Sequence, residues 1–174
     1  MNKIKTSLTA VVSIVMLLSL TQTSCAMNSD GPAYMGNPAE GMINVESQFS
    51  VAETAKRLEN IFNKKGVTIF NRVKHASAAE KIGVLLRETE LFIFGNPKLG
   101  SPLMKCKQSI AIDLPQKALI WQDENEQVWI SYNDINYIAK RHNVEGCESI
   151  IVKIGKVLGK LTQAAAQAKP KEKD

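Results

Sequence analysis

The sequence predicts an α+β fold: a two-layer sandwich in which helices pack on one mostly antiparallel sheet of four to five strands. Three observations lead to this prediction. Strand and helix patterns alternate in the first half of the chain, and a hairpin pattern followed by two helical patterns occupies the second half. About 125 residues lie between the polar ends of the chain, the size of one domain with one hydrophobic core.

The first strand and the first helix have the clearest patterns. Residues 42–47 alternate between apolar and polar side chains, as a half-buried strand does. Ser50 and Glu53 have the spacing of a capping box, apolar residues then recur at helical spacing, and Gly66 supplies a stop. We therefore expect a helix with one buried face between Ser50 and Gly66.

Two more strands and a short helix follow. Residues 67–74 are rich in β-branched and aromatic side chains, which indicates a second strand. Ser77 and Glu80 repeat the capping-box spacing and predict a short helix that ends near Gly83 or the next residue. Residues 89–95 form a nearly continuous apolar run, which predicts a third, central strand covered on both faces.

A short helix, a hairpin and two further helices complete the predicted domain. Ser101 and the proline after it have the pattern of an N-cap and a first helical residue, so a short helix should begin there. Residues 119–121 and 128–132 are strand-like and flank a polar turn, which predicts a hairpin. Helices over about residues 134–142 and 145–168 should then close the domain.

Both ends of the chain are predicted to lie outside the domain. A basic start and an apolar run too short to span a bilayer predict a signal peptide over residues 1–24. Cys25 is either the acylated first residue of a mature lipoprotein, which we favour, or part of a general signal-peptidase site. Residues 25–41 predict a flexible tether and residues 169–174 a charged tail. The protein should therefore be exported to the periplasm, and held on the periplasm-facing membrane if Cys25 is acylated.

The net charge of +5 raises the question of a nucleic-acid partner. Lys3 and Lys5 leave with the predicted signal peptide, and the sequence has no arginine-rich block or interleaved aromatic stripe. An exported protein also meets little nucleic acid. We therefore expect no nucleic-acid partner, and instead a small ligand or another protein of the cell envelope.

Cys106 and Cys147 are the two cysteines of the predicted domain. An oxidising compartment would allow them to pair, but they lack the close spacing of a redox or zinc motif. The sequence leaves open whether they form a disulfide or are two small buried side chains.

The loop from Gly95 to Ser101 has the glycine spacing of a phosphate-binding Walker A loop without its chemistry. That motif needs a lysine directly after the second glycine, whereas Ser101 and a proline follow Gly100 here. Two interpretations remain. The helix start near Ser101, with Lys98 beside it, could hold a small anion. Alternatively, Gly95 and Gly100 supply unusual backbone angles in a tight turn, which we favour.

His75 lies where a strand pattern ends and a helix pattern begins, a place where side chains often face a cleft. A role as base or ligand and a purely structural role are equally open. The other histidine, His142, ends a predicted helix beside Lys140 and Arg141, where a cation suits the helix dipole. Two histidines without clustered carboxylates predict no metal site, and the sequence contains no complete catalytic or cofactor motif.

A set of short motifs is spread along the predicted domain: His75 followed by Ala78-Ala79, then Phe94-Gly-Asn-Pro-Lys98, Gly100-Ser101-Pro-Leu103, Asp113-Leu-Pro115 and Val128-Trp-Ile-Ser-Tyr132. Together they resemble the domain of unknown function 302 family over most of residues 42–161. The resemblance implies a two-layer α+β sandwich, often dimeric, without an established biochemical function. Family members often have Asp before the histidine, where this chain has Lys74.

The resemblance also implies a set of candidate ligand-binding residues, if the family shares a pocket: His75, Phe94, Asn96, Pro97, Lys98, Ser101 and Tyr132. We predict a non-catalytic domain that binds a small ligand or a partner through a cleft between His75 and the loop of residues 95–101. Two alternatives stay open. One is an enzyme that uses His75 as acid or base and holds an anion beside Lys98, and the other is a structural dimerisation module.

Overall fold

The computed structural model describes residues 39–168, which contain the predicted domain. The predicted signal peptide, Cys25 and the charged tail lie outside these residues. Within them the elements follow in this order: β1 (Met42–Ser47), α1 (Val51–Lys65), β2 (Thr68–Lys74), α2 (His75–Glu80), β3 (Thr89–Gly95), α3 (Pro97–Cys106), a 3-10 helix (Gln108–Ile112), β4 (Gln116–Gln122), β5 (Val128–Asn133), α4 (Ile135–Arg141) and α5 (Glu148–Ala166).

The five strands form one antiparallel sheet in the order β1-β5-β4-β3-β2. Ile130 of β5 pairs with Val45 of β1 on one side and with Ile120 of β4 on the other. Phe92 of β3 pairs with Ala118 of β4, so the buried side chains of neighbouring strands share one face. Because α1 and α5 pack against the sheet on that face, the predicted two-layer α+β sandwich is confirmed.

The strand β3 is covered on one face rather than two. Glu90, Phe92 and Phe94 are buried, whereas Leu91 and Ile93 on the opposite face are only half-buried. The prediction of a strand covered on both faces was therefore wrong. The run reads as continuous because the less covered face of β3 also carries apolar side chains, those of Leu91 and Ile93.

The core lies between the sheet and the two longest helices. The ring of Phe62 in α1 stacks on Phe94, with 4.3 Å between the ring centroids, and meets Phe92 edge-on at 6.2 Å. Arg57 ties α1 to the end of α5, because its guanidinium donates hydrogen bonds to the backbone carbonyls of Ala164, Ala165 and Gln167. The helix α5 contributes a row of buried side chains at helical spacing: Ile151, Ile154, Leu158, Leu161 and Ala165.

The capping signals work at α1 but not at α2. Ser50 Oγ accepts a hydrogen bond from the backbone N–H of Glu53 at 3.3 Å, and Gly66 ends α1 with φ of 64°. The helix α2 instead begins at His75, which places Ser77 inside it. The capping-box prediction for Ser77 was wrong, because β2 pairs with β3 up to the residue before the helix and determines where the helix starts.

Cys106 and Cys147 form a disulfide, with 6.4 Å between their Cα atoms. The bond ties the end of α3 to the residue before α5 across a separation of 41 residues. In the chain-entropy model, closing a loop of this length stabilises the fold by about 4 kcal/mol.

A charged cluster lies between β2, β3 and α1. Arg72 donates hydrogen bonds to both carboxylate oxygens of Glu90 and, at 3.0 Å, to Oε2 of Glu59. The Glu90 side chain is only 9% exposed, and the Arg72 guanidinium lies 4.9 Å from the ring centroid of Phe92. The hydrogen bond to Glu90 is the main cause that raises the pKa of Arg72.

Replacing Arg72 with methionine should leave the buried Glu90 carboxylate without its cation. We expect R72M to lower the free energy of unfolding by about 2–3 kcal/mol, measured by urea unfolding. The control is R72M/E90M, in which both charges are gone, and it should recover at least half of that loss. A double variant that is no more stable than R72M would contradict this account.

Candidate functional site

A cavity of about 280 Å³, partly open to solvent, lies between α3, α5 and the adjoining ends of β2, β3 and β4. Its walls are almost entirely apolar, and the described residues that form them carry three polar side chains, those of Asn96, Ser101 and Gln116. The lining residues are Val67, Phe70, Phe94, Gly95, Asn96, Pro97, Leu99, Gly100, Ser101, Met104, Ala111, Leu114, Pro115, Gln116, Ile154, Val157, Leu158 and Leu161.

The helix α3, which forms one wall, begins at Pro97 rather than at Ser101. Asn96 is its N-cap: the side-chain Oδ1 accepts a hydrogen bond from the backbone N–H of Lys98 at 2.9 Å. Proline fits the first helical position because its missing N–H has no partner there. The predicted N-cap Ser101 was therefore wrong, because the Asn-Pro pair starts the helix one turn earlier and leaves Ser101 inside it.

The start of α3 has few backbone groups left for an anion. Asn96 accepts the N–H of Lys98 on its side chain, and its backbone carbonyl accepts those of Leu99 and Gly100 at 2.9 and 3.0 Å. Pro97 has no N–H to offer. The geometry of the helix start therefore does not favour the anion interpretation.

The glycines of the loop do not supply unusual backbone angles, and of the two only Gly95 is closely packed. The glycines with positive φ in the described residues are elsewhere in the chain, at positions 41, 66, 83 and 146. A Cβ on Gly95 would lie 3.3 Å from Cε2 of Phe70 and 3.6 Å from Cβ of Pro115. Gly95 therefore lets the rim of the cavity close around the end of β3.

The structure brings four of the seven predicted binding residues to the cavity, namely Phe94, Asn96, Pro97 and Ser101. Lys98 is exposed and is not part of the lining. Tyr132 is buried beneath α5, and a Cβ on Gly159 of that helix would lie 3.7 Å from its hydroxyl. Burial raises the pKa of Tyr132, and a hydrogen bond with Thr162 opposes that shift only in part.

His75 lies at the far end of β2 from the cavity. The strand pairs Thr68 with Gly95 and Lys74 with Glu90, so five residues of extended strand, roughly 17 Å, separate the loop from His75. The predicted single cleft between His75 and the loop of residues 95–101 does not form. Antiparallel pairing places the start of β2, not its end, beside that loop.

Sequence reasoning missed the walls that come from distant parts of the chain. Ile154, Val157 and Leu158 of α5 face the cavity, as does Gln116 at the start of β4. Helical spacing marked the α5 residues as buried, but it does not distinguish a side chain that meets the core from one that meets a cavity.

A polar cluster away from the cavity was also missed. His142 Nε2 lies 2.7 Å from Asp113 Oδ2, and its Nδ1 lies 3.0 Å from Ser109 Oγ. Arg141 donates to both oxygens of Asp113, at 3.1 and 3.2 Å. These contacts join residues about 30 positions apart and fasten the 3-10 helix to the end of α4, which gives His142 a structural role beyond the predicted dipole interaction.

Residues 39–168 contain no group of three or more His, Cys, Asp or Glu side chains placed to hold a metal ion. None of their helices is long and apolar enough to cross a membrane.

A five-stranded antiparallel sheet with helices on one face defines an α+β sandwich, and in this one an apolar cavity lies at one end of the sheet. The chain belongs to the family described as domain of unknown function DUF302, whose model matches residues 43–165. The crystal structure of an uncharacterized conserved protein DUF302 from Bacillus stearothermophilus has the same fold, with a TM-score of 0.67 and 17% identity, over 73% of this chain and 99% of that one.

Curated relatives come from Brucella. The chain is 41% identical over 113 residues to the fluoride-specific ion channel FluC 1 of Brucella suis biovar 1, which is 65% of this chain and 44% of that protein. The fluoride-specific ion channel FluC 2 of Brucella melitensis biotype 1 matches at 41% over 113 residues, which is 42% of its length. The chain thus spans less than half of the relatives that it matches.

Exchanging Asn96 for alanine removes the N-cap of α3, whereas Ser101 lies within the helix. We expect N96A to lower the free energy of unfolding by about 1 kcal/mol, and S101A to change it by less than about 0.5 kcal/mol. Thermal unfolding followed by circular dichroism compares the two variants. A larger loss of stability in S101A than in N96A would indicate that the helix starts at Ser101.

Proposed function

We propose that this domain binds a small, mainly apolar ligand in the cavity beside α3, without catalysing a reaction on it. The observation that carries the proposal is the cavity itself, about 280 Å³ with an almost entirely apolar lining. Ligand sites are typically concave and mainly apolar with a few placed polar groups. An apolar cavity of roughly 150 Å³ already takes up benzene, so this one has room for a bicyclic ring or a branched chain.

The lining supports binding rather than catalysis. Among residues 39–168 it contains no acidic, basic or histidine side chain, so a ligand inside it would meet no general acid or base from this part of the chain. The enzyme alternative combined His75 with an anion held near Lys98. The separation of His75 from the loop, together with the occupied N–H groups of α3, weighs against that combination.

The relatives' name does not describe this cavity. A fluoride ion is strongly hydrated and needs several cations or free N–H groups to replace its water, whereas the described lining has no cation and one unpaired amide donor, that of Gln116. The channel activity named for the Brucella proteins concerns chains more than twice as long as the matched segment. We therefore propose an organic ligand for this domain.

Export is part of the proposal. A domain tethered through an acylated Cys25 would act in the periplasm and would meet its small ligand or protein partners there. The signal-peptide pattern before Cys25 supports this location.

A second candidate function is dimerisation through the loop between α2 and β3. Four large apolar side chains in five positions are exposed there, with Leu85 at 98% and Ile82 at 78%, beside Val84 and Leu86. A soluble monomer rarely exposes a contiguous apolar patch without a role for it. Pairing with a second copy of this chain would remove these side chains from water.

Filling the cavity should prevent binding of an apolar probe. We expect naphthalene at ten times its dissociation constant to stabilise the protein by about 1.4 kcal/mol, seen as a rise in Tm. V157F places a ring in the cavity wall and should weaken binding at least tenfold. V152F makes the same change at an exposed position of α5 outside the cavity, and it should leave binding unchanged. Equal responses of the two variants would speak against the cavity as the site.

A charge in the α2–β3 loop should abolish the proposed dimer. We expect the unaltered protein to sediment as a dimer in analytical ultracentrifugation and L85E to sediment as a monomer, because a dimer would bury the new carboxylate without a partner. V152E, at an exposed apolar position on α5, should remain dimeric. A monomeric unaltered protein would reject dimerisation and leave the ligand proposal unaffected.

A further inference from the structure

Gln116 is an exception among the residues around the cavity. It is 8% exposed, and its side-chain Nε2 is buried without a hydrogen-bond partner among residues 39–168. Buried amide groups in folded proteins almost always form hydrogen bonds, because an unpaired one has lost its hydrogen bonds to water without forming new ones. Its position therefore needs an explanation that packing alone does not provide.

The neighbours of Gln116 show that the position does not demand a polar side chain. On the same face of β4, the next residues inward are Ala118 and Ile120, both fully buried. Across the strand pair, Gln116 lies opposite Phe94, which stacks on Phe62. An apolar side chain such as Leu or Met would fit these surroundings without an unsatisfied donor.

Gln116 also lies in the wall of the cavity, beside Pro115 and Leu114. The terminal torsion of a glutamine side chain is broad and soft, so the amide can turn toward the cavity without moving the strand. Once turned, this amide, the one in the described residues with a buried unpaired donor, would be in reach of a ligand in the cavity.

We infer that the ligand of this cavity is an apolar molecule that carries one hydrogen-bond acceptor, such as the carbonyl of a ketone, ester or amide, and that Gln116 Nε2 donates to that acceptor. The inference rests on the proposed function, since it describes the occupant of the same cavity. Gln116 thereby selects carbonyl compounds over hydrocarbons of equal shape, because a hydrocarbon leaves the donor unpaired.

Two isosteric probes test the inference: 2-acetylnaphthalene, which has a carbonyl, and 2-isopropenylnaphthalene, in which a CH₂ group replaces the oxygen. Their dissociation constants are measured by isothermal titration on the unaltered protein and on Q116M. The two compounds differ in hydration, so their dissociation constants would differ even without Gln116. The informative quantity is therefore the dissociation constant of the hydrocarbon divided by that of the ketone, compared between the two proteins. We expect this ratio to fall about tenfold in Q116M.

The possible results separate the two proposals. If both probes bind and the ratio is the same in both proteins, the acceptor inference is overturned while apolar binding stands. If neither probe binds the unaltered protein and V157F does not weaken the binding of naphthalene, the proposed function fails. The inference then fails with it. Q116L serves as a second variant, and both variants should melt at or above the Tm of the unaltered protein, since each removes an unpaired donor. A lower Tm in both would mean that Gln116 has a structural partner.

Discussion

The stacking of Phe62 on Phe94 is the contact on which both the fold and the cavity depend. Phe62 holds α1 against the sheet, and a buried phenylalanine of this kind typically contributes roughly 3–5 kcal/mol to stability. Phe94 is the last buried residue of β3 before the chain turns into α3, and it also lines the cavity. The core and the site therefore share one aromatic ring, that of Phe94.

The cavity exists because α3 is attached at its two ends. Asn96 fixes the start of the helix at the end of β3, and the disulfide of Cys106 fixes its end to the residue before α5. Leu103 is fully buried and anchors α3 in the core, while Leu99 and Met104 border the open space. Held in this way, α3 does not close fully onto α5, and an apolar gap remains between them.

The part of the site that is contiguous in sequence was predictable, and the part that is assembled from distant segments was not. The family resemblance pointed to Phe94, Asn96 and Pro97, which lie close together at a strand-to-helix junction and line the cavity. His75 was placed with them by motif resemblance, although strand pairing puts it at the other end of β2. Gln116 was missed, because its significance depends on the absence of a hydrogen-bond partner in the folded chain.

The sequence by itself determined the elements and the family. Strand alternation, the cap at Ser50 and the stop at Gly66 are local effects that act over a few residues. They can therefore be recognised without knowledge of the fold. Only the tertiary structure decided that α3 starts at Pro97, that His142 contacts Asp113, and that an apolar cavity opens between α3 and α5. These features depend on which surfaces meet in space, and hydrophobic periodicity records that a side chain is buried without recording what it is buried against.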